Sequence, residues 1–219
     1  MDHKAENQHH SVRAGSHGHS SHNPDWASRM ARLDDLGRLE SQVSEAELAR
    51  ILALRGDEDM LDLGSGTGFY TDRMATLTTG VVYALEVVPA MLEYHRERGI
   101  PDNVRLIQGD MTALAQNVAD DPHQSDSLGP EMVDVAITIA TWHEIDGHLD
   151  VSGLADLLRP RGRLIVIDWR KNPATWDHGP PEEVRYSASD VAAALQPHLA
   201  VTKVEDLGPC MFAVTAKRA

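Results

Sequence analysis

Between residues 26 and 56 the apolar positions recur at helical spacing. From residue 59 onward short apolar runs alternate with helical stretches. Met30, Leu33 and Leu36 share one face of a first helical stretch, Trp26 to Leu39. A second helix opens at Ser44, with Glu47 three residues on as in a capping box, and carries the stripe Leu48, Ile51, Leu52 and Leu54 up to Gly56. The alternation then predicts strands over Asp59–Leu63, Val81–Glu86, Val104–Gln108, Met132–Ile139 and Arg163–Trp169. Helices are expected near Tyr70–Leu77, Pro89–Arg98 and Leu149–Leu158. Pro89 suits a first helical turn, whereas Gly99 and Pro101 stop the helix that follows. A last helix near Ala188–Leu195 leads into two runs, Leu199–Leu207 and Met211–Lys217, joined by Gly208-Pro209 and read as an antiparallel hairpin. Strand–helix alternation of this kind argues for an α/β domain whose mostly parallel sheet carries helices on both faces.

This pattern divides the chain into a tail (1–24), a helical segment (25–56) and an α/β domain (57–219). The second N-terminal helix reads as padding for the sheet. The first is either padding or a lid. The polar stretch 120–126 reads as an exposed insertion loop. The tail holds six of the twelve histidines among Ser, Gly, Asn and Gln, so disorder is expected there. Its irregular His spacing allows adventitious metal binding, but no carboxylate or Cys completes a closed metal site.

Composition narrows the partners. A net charge of −14 disfavours phosphate backbones and anionic membranes. The single cysteine, Cys210, rules out an intrachain disulfide framework and a Cys-based zinc site. No apolar run approaches the roughly 20 residues that span a bilayer, and the polar N-terminus does not read as a signal peptide. A cytoplasmic protein that binds neither nucleic acid nor membrane is the expectation; oligomeric state is not readable.

The chemistry gathers around Asp62-Leu63-Gly64-Ser65-Gly66-Thr67-Gly68, an apolar run that ends in an acid, breaks into alternating glycines and resumes as a helix through Tyr70 and Thr71. Glycines let the backbone turn tightly and approach a ligand. In a doubly wound sheet the ligand lies outside the carboxyl ends of the strands. Glu86 and Val87 end the second strand, and an acid there is placed to accept ribose hydroxyls. Asp110 and Met111 follow the third strand, where they suit an amino group and a ring. The fourth strand ends at Ile139, followed by Ala140-Thr141-Trp142-His143-Glu144, and the fifth at Asp168-Trp169-Arg170.

This set resembles class I S-adenosylmethionine-dependent methyltransferases of the small-molecule type, similar to type 11 and type 25 domains, over about residues 45–219. The resemblance implies a Rossmann-like, seven-stranded mixed sheet, mostly parallel with a C-terminal antiparallel hairpin. It implies S-adenosylmethionine as cofactor and S-adenosylhomocysteine as product. The glycine loop would hold the methionine part, Glu86 the ribose, and Asp110 with Met111 the adenine. Asp62, Gly64, Ser65, Gly66, Gly68, Tyr70, Thr71, Glu86, Val87, Asp110, Met111 and Ile139 are the expected cofactor-binding residues. His143 is the candidate base, against a reading in which it only caps or lines the pocket.

Thr141-Trp142-His143 departs from the Asn/Asp-Pro-Pro-aromatic motif of nucleobase and amide methyltransferases, which leaves a small-molecule acceptor. Arg170, Lys171 and Arg185 are expected to be available to an anionic acceptor group, or else to lie on a solvated loop. Two alternatives stay open: a nicotinamide-dependent oxidoreductase with unusual glycine spacing, and a non-catalytic cofactor- or metal-binding protein that works through its His-rich tail.

Overall fold

A computed structural model describes residues 26–116, 127–171 and 179–218. The expectations for the tail at 1–24 and the loop at 120–126 lie outside the described residues, as does 172–178 of the segment after the fifth strand.

The helical segment comprises α1 (Trp26–Leu33), α2 (Arg38–Ser41) and α3 (Glu45–Leu52). The single expected stretch 26–39 is broken because Asp35 turns its carboxylate onto the Gly37 N–H at 2.7 Å, forming a side-chain turn that competes with helix. Ser44 and Glu47 make the reciprocal capping box at the start of α3. Ala53, left-handed at φ 43°, ends α3, three residues before the expected Gly56. Gly56 instead gives its N–H to the buried Glu58 carboxylate, which also accepts from Arg55 and Asp57.

Strands β1 (Met60–Leu63), β2 (Val82–Glu86), β3 (Val104–Gln108), β4 (Val133–Ile139), β5 (Leu158–Trp169), β6 (Ala200–Leu207) and β7 (Met211–Lys217) form one sheet, in the order β3-β2-β1-β4-β5-β7-β6. Pairings from β3 through β5 are parallel, and β7 lies antiparallel to both β5 and β6. The sheet is thus seven-stranded, mixed and Rossmann-like, as expected. Helices α4 (Phe69–Ala75), α5 (Pro89–Arg98), α6 (Val151–Leu157) and α7 (Ala188–Leu195) complete the layers. Side-chain alternation sorts the core into two parts. Leu61 and Leu63 face one cluster with Leu154 and Phe212, while Met60 faces the other with Leu52 and Met74.

Winding reverses between β1, which continues outward to β2 and β3, and its other neighbour β4. The crevice outside these strand ends is where such sheets bind ligands.

Candidate active site

A cavity of about 190 Å³ opens at this reversal point, lined from several directions. Gly64, Ser65, Gly66 and Thr67 supply its floor; Glu86, Val87, Val88 and Met91 one wall; Asp110 and Met111 a second. Thr141, Glu144 and Ile145 line it from beyond β4, while Arg29, Leu33 and Arg38 do so from the N-terminal segment.

The glycines of the loop all have positive φ, and two are fixed by contacts as well. A Cβ on Gly64 would stand 2.5 Å from Thr141 Cγ2, and one on Gly68 would stand 2.1 Å from His95 Cε1. His95 is fully buried, with Nε2 2.7 Å from Asp72 Oδ1, so the loop rests on a packed imidazole. The Ser65 hydroxyl is buried in the loop without a hydrogen-bond partner among the described residues.

Glu86 reaches back from β2. Its two oxygens accept the N–H groups of Gly66 and Val88, each at 2.9 Å, which points the carboxylate along the cavity wall. Asp110 closes its own turn through Oδ1, which accepts the Thr112 N–H at 2.8 Å and its hydroxyl at 2.7 Å. Met111 is buried beside it.

Asp62 takes a different place. In β1 its side chain shares the face of Met60 and turns toward α4, where the Thr71 hydroxyl donates to it at 2.6 Å. Burial raises its pKa to about 6, opposed by the Thr71 hydrogen bond and the charge of His95. Asp62, Gly68, Tyr70, Thr71 and Ile139 stand behind the cavity lining rather than in it. The Tyr70 hydroxyl bonds the backbone of Arg38 and Val43 and so ties the N-terminal segment to α4.

The residues missed by sequence reasoning come mostly from this N-terminal segment. The Arg38 guanidinium lies 4.9 Å from the centroids of both Phe69 and Tyr70, and it donates to Gln42 Oε1 and the Leu33 carbonyl. Burial pushes its pKa down, while Tyr70, Asp62 and Asp34 pull it up. Asp34, just after α1, accepts from Thr67 Oγ1 at 2.6 Å, Tyr94 OH at 2.8 Å and Arg98 Nη1 at 2.8 Å, clipping that segment to the glycine loop. At the mouth, Arg29 pairs with Glu144 at 3.2 Å. A cation two helices upstream of the glycines carries no local signal of where it will fold.

His143 sits between β4 and β5. Its ring Nδ1 lies 2.9 Å from Asp168 Oδ1, and its backbone N–H donates to Asp168 Oδ2 at 3.2 Å. The flanking Thr141 and Glu144 line the cavity, but His143 does not. Trp142 and Trp169 are buried in the two core clusters, as side chains that pack the sheet. Two cations expected to be available to an acceptor are engaged elsewhere. Arg185 is buried against Trp169 and donates to the carbonyls of Pro180 and Arg170, and Arg170 pairs with Asp206 at 2.9 Å. Guanidiniums that hold a turn-rich segment through its carbonyls are spent on positioning it. Lys171 is exposed at the end of the described part of that segment.

A doubly wound sheet with this strand order, a glycine loop after β1 and an acid at the end of β2 defines the Rossmann-like methyltransferase architecture. The family model described as "Methyltransferase domain" matches residues 54–206, and the chain belongs to that family. Among curated relatives, uncharacterized methyltransferases of Mycobacterium tuberculosis and Mycobacterium bovis are 31% identical over 108 residues. That match takes in 49% of this chain, and the chain spans 38% of their length. Among solved structures, an S-adenosylmethionine-dependent methyltransferase from Aquifex aeolicus superimposes with a TM-score of 0.73 at 27% identity, covering 88% of this chain and 98% of that one. Geranyl diphosphate C-methyltransferase from Streptomyces coelicolor, solved with Mg2+, geranyl diphosphate and S-adenosylhomocysteine, shares the fold at TM-score 0.56 and 16% identity, over 83% of this chain and 81% of that one. The domain is therefore of the S-adenosylmethionine-dependent class, and the nicotinamide alternative gives way to it. Among the described residues no helix is long and apolar enough to cross a membrane, and no cluster of His, Cys, Asp and Glu could hold a metal.

Proposed function

We propose that the chain transfers a methyl group from S-adenosylmethionine to a small-molecule acceptor, in the cavity between the glycine loop and the β4 end. The observation that carries this reading is Glu86, oriented by the Gly66 and Val88 N–H groups and presented to the cavity. A carboxylate held in this way keeps acceptor capacity for the two hydroxyls of a ribose.

The donor set fits the rest of the cofactor. Asp110 suits an exocyclic amine, and Met111, Val87 and Met91 suit the faces of an adenine. Ser65 offers an unpartnered hydroxyl and Arg38 a cation to the methionine end. A pyrophosphate would meet Glu86 and Asp110 as like charges, whereas an adenosyl sulfonium with one carboxylate and one ammonium would not. When bound, S-adenosylmethionine supplies an electrophilic methyl group. The chain's own part is to hold donor and acceptor in line and to keep water out, with Leu33 and Ile145 as apolar walls.

The net charge of −14 and the engaged arginines after β5 favour a small diffusible acceptor over a nucleic acid. The charge and the single cysteine suit a cytoplasmic setting. Calorimetric titration with S-adenosylhomocysteine, followed by a metabolite screen with methyl-labelled S-adenosylmethionine, tests the reading. Saturable heat and a labelled small molecule are expected. No heat and no labelled product would overturn it.

A further inference from the structure

We propose that Arg55, Arg161 and Arg163 form a second binding site, at the edge of the sheet opposite the glycine loop, for the phosphate group of a small phosphorylated molecule. The site stands apart from the methyl-transfer cavity and does not depend on that reading.

Two segments bring these arginines together. Leu158 pairs with Val133 and Arg163 with Val135, so the residues between them in β5, Arg159-Pro160-Arg161-Gly162, bulge out of the ladder. Val135 is also the partner of Met60, the first residue of β1, whereas the glycine loop follows the last. Arg55 arrives from the turn after α3, which Ala53 opens in a left-handed conformation. A cavity of about 270 Å³ is lined by both segments and by the acids Glu58 and Asp134.

Both acids are engaged from outside the cavity. Asp134 is held by Arg159 and by the Asp59 N–H. Glu58 is 3% exposed and accepts the N–H groups of Arg55, Gly56 and Asp57. The guanidiniums are less well matched. Arg55 reaches Glu58 only at 3.4 Å, with its side chain 79% exposed. Nη2 of Arg163 donates to the Leu52 carbonyl, and its other side-chain nitrogens have no partner among the described residues. The exposed Arg161 guanidinium has none among them either.

Burial pushes the Arg163 pKa down; Glu58 and Asp134 oppose this, and the like charge of Arg55 adds to it. Cations that repel one another beside an open cavity are stabilised by an anion placed among them. Arg161 is itself left-handed at φ 68°, a conformation that favours glycine. The turn gives no reason for an arginine at 161, so the reason lies with the guanidinium.

A guanidinium matches the oxygens of a phosphate or carboxylate in pairs. Three of them around one cavity suit a dianion with three free oxygens better than a lone carboxylate, and the cavity leaves room for a small body beyond it. The net charge of −14 repels large polyanions, which favours a small ligand over a nucleic acid.

Calorimetry and proton–nitrogen NMR of the arginine Nε–H groups test the site, with inorganic phosphate and glycerol 3-phosphate as probes at constant ionic strength. Both are expected to bind saturably and to shift the signals of Arg55, Arg161 and Arg163, each identified by its own variant. Malonate should bind more weakly than either. Arg161→Gly suits the left-handed turn, so its unfolding temperature should stay close to wild type while phosphate binds at least about tenfold more weakly. Arg163→Lys keeps the charge but loses the fork, and should weaken phosphate by roughly threefold or more. Both variants should bind S-adenosylhomocysteine as wild type does, since neither residue lies at the glycine loop.

Phosphatidylcholine vesicles carrying phosphatidic acid should leave the protein in solution. Sedimentation with those vesicles, without binding of the soluble phosphates, would make the partner a membrane surface and overturn the proposal. No saturable binding in wild type, malonate binding as tight as phosphate, or phosphate binding by Arg161→Gly within twofold of wild type would each overturn it as well.

Discussion

At the N-terminal edge of the strands, Arg159 lies between Asp59 and Asp134, at 2.7 and 2.5 Å. Asp59 also accepts the Val81 N–H at 2.8 Å, and Asp134 accepts the Asp59 N–H at 3.1 Å. At the C-terminal edge, Glu86 accepts the N–H groups of Gly66 and Val88 and Asp110 accepts from Thr112, and both face a cavity. One edge closes its carboxylates around a shared cation. The other orients them with backbone N–H groups and leaves the cleft to a ligand. A strand-end acid is therefore not a site by itself; what orients it and what it faces decide its use.

The largest test of that contrast is Glu86→Ala. If Glu86 accepts ribose hydroxyls, two charge-assisted hydrogen bonds go, at about 1.5–3 kcal/mol each. S-adenosylhomocysteine should bind at least about 100-fold more weakly by calorimetry, since each 1.4 kcal/mol is a factor of ten. A change below threefold would take Glu86 out of the site.

Asp62 sharpens the contrast, being at the functional edge yet turned away from the cavity. Its folded pKa of about 6 lies above the ordinary 3.8, so folding favours the protonated form. This contribution is complete below the unfolded pKa and is lost as pH rises toward 6, a cost of about 3 kcal/mol once the group is ionised. Asp62→Asn should remove the fall: urea unfolding of wild type and variant should diverge between pH 4 and pH 7, with the variant gaining relative stability at the higher pH. Parallel pH profiles would show that the buried carboxyl carries no such burden.

Arg159→Ala probes the opposite edge. The pair members are 25–37% exposed, so solvent discounts the bonds, and a loss of about 1–2 kcal/mol in unfolding free energy is expected. S-adenosylhomocysteine affinity should stay within threefold of wild type, the reverse of the Glu86 result. Lost affinity with unchanged stability would erase the distinction between the edges.

How far the sequence reveals this follows from how local each signal is. The glycine loop, Glu86 and Asp110 are legible because a strand end, a tight turn and a helix start are neighbours in the chain. The capping box at Ser44 and the closing hairpin are legible for the same reason. Asp62 is legible as a strand-end acid, but which way it points depends on the pleat and on Thr71 across in α4. Arg38 and Asp34 are illegible, because their place over the loop is set by packing of the N-terminal segment onto α4 and α5. Asp168 is visible as the end of β5, but its pairing with His143 is visible only once the register of β4 and β5 is known. The fate of Arg170 and Arg185 is the instructive failure. A cation in a turn-rich segment reads as available for an anion, yet Arg185 is claimed by the carbonyls of Pro180 and Arg170, and Arg170 by the Asp206 carboxylate.

The smallest effect is expected at the mouth. Arg29 and Glu144 bridge α1 and the β4 loop across the cleft at 3.2 Å, with side chains 41% and 50% exposed. An exposed pair of this kind contributes roughly 0.2–1 kcal/mol, because water competes for both charges and two long side chains must be ordered. α1 is also held by buried Met30 and by the Asp34 clip next to it, which Arg29→Ala leaves in place. The variant should therefore bind S-adenosylhomocysteine nearly as well as wild type and release it less than about fivefold faster in stopped flow. At about 1 M salt, where the screening length falls to roughly 3 Å, the two proteins should release at the same rate. A larger acceleration that persists in high salt would mean that Arg29 holds the bound molecule itself, and would move it from the mouth into the site alongside Glu86.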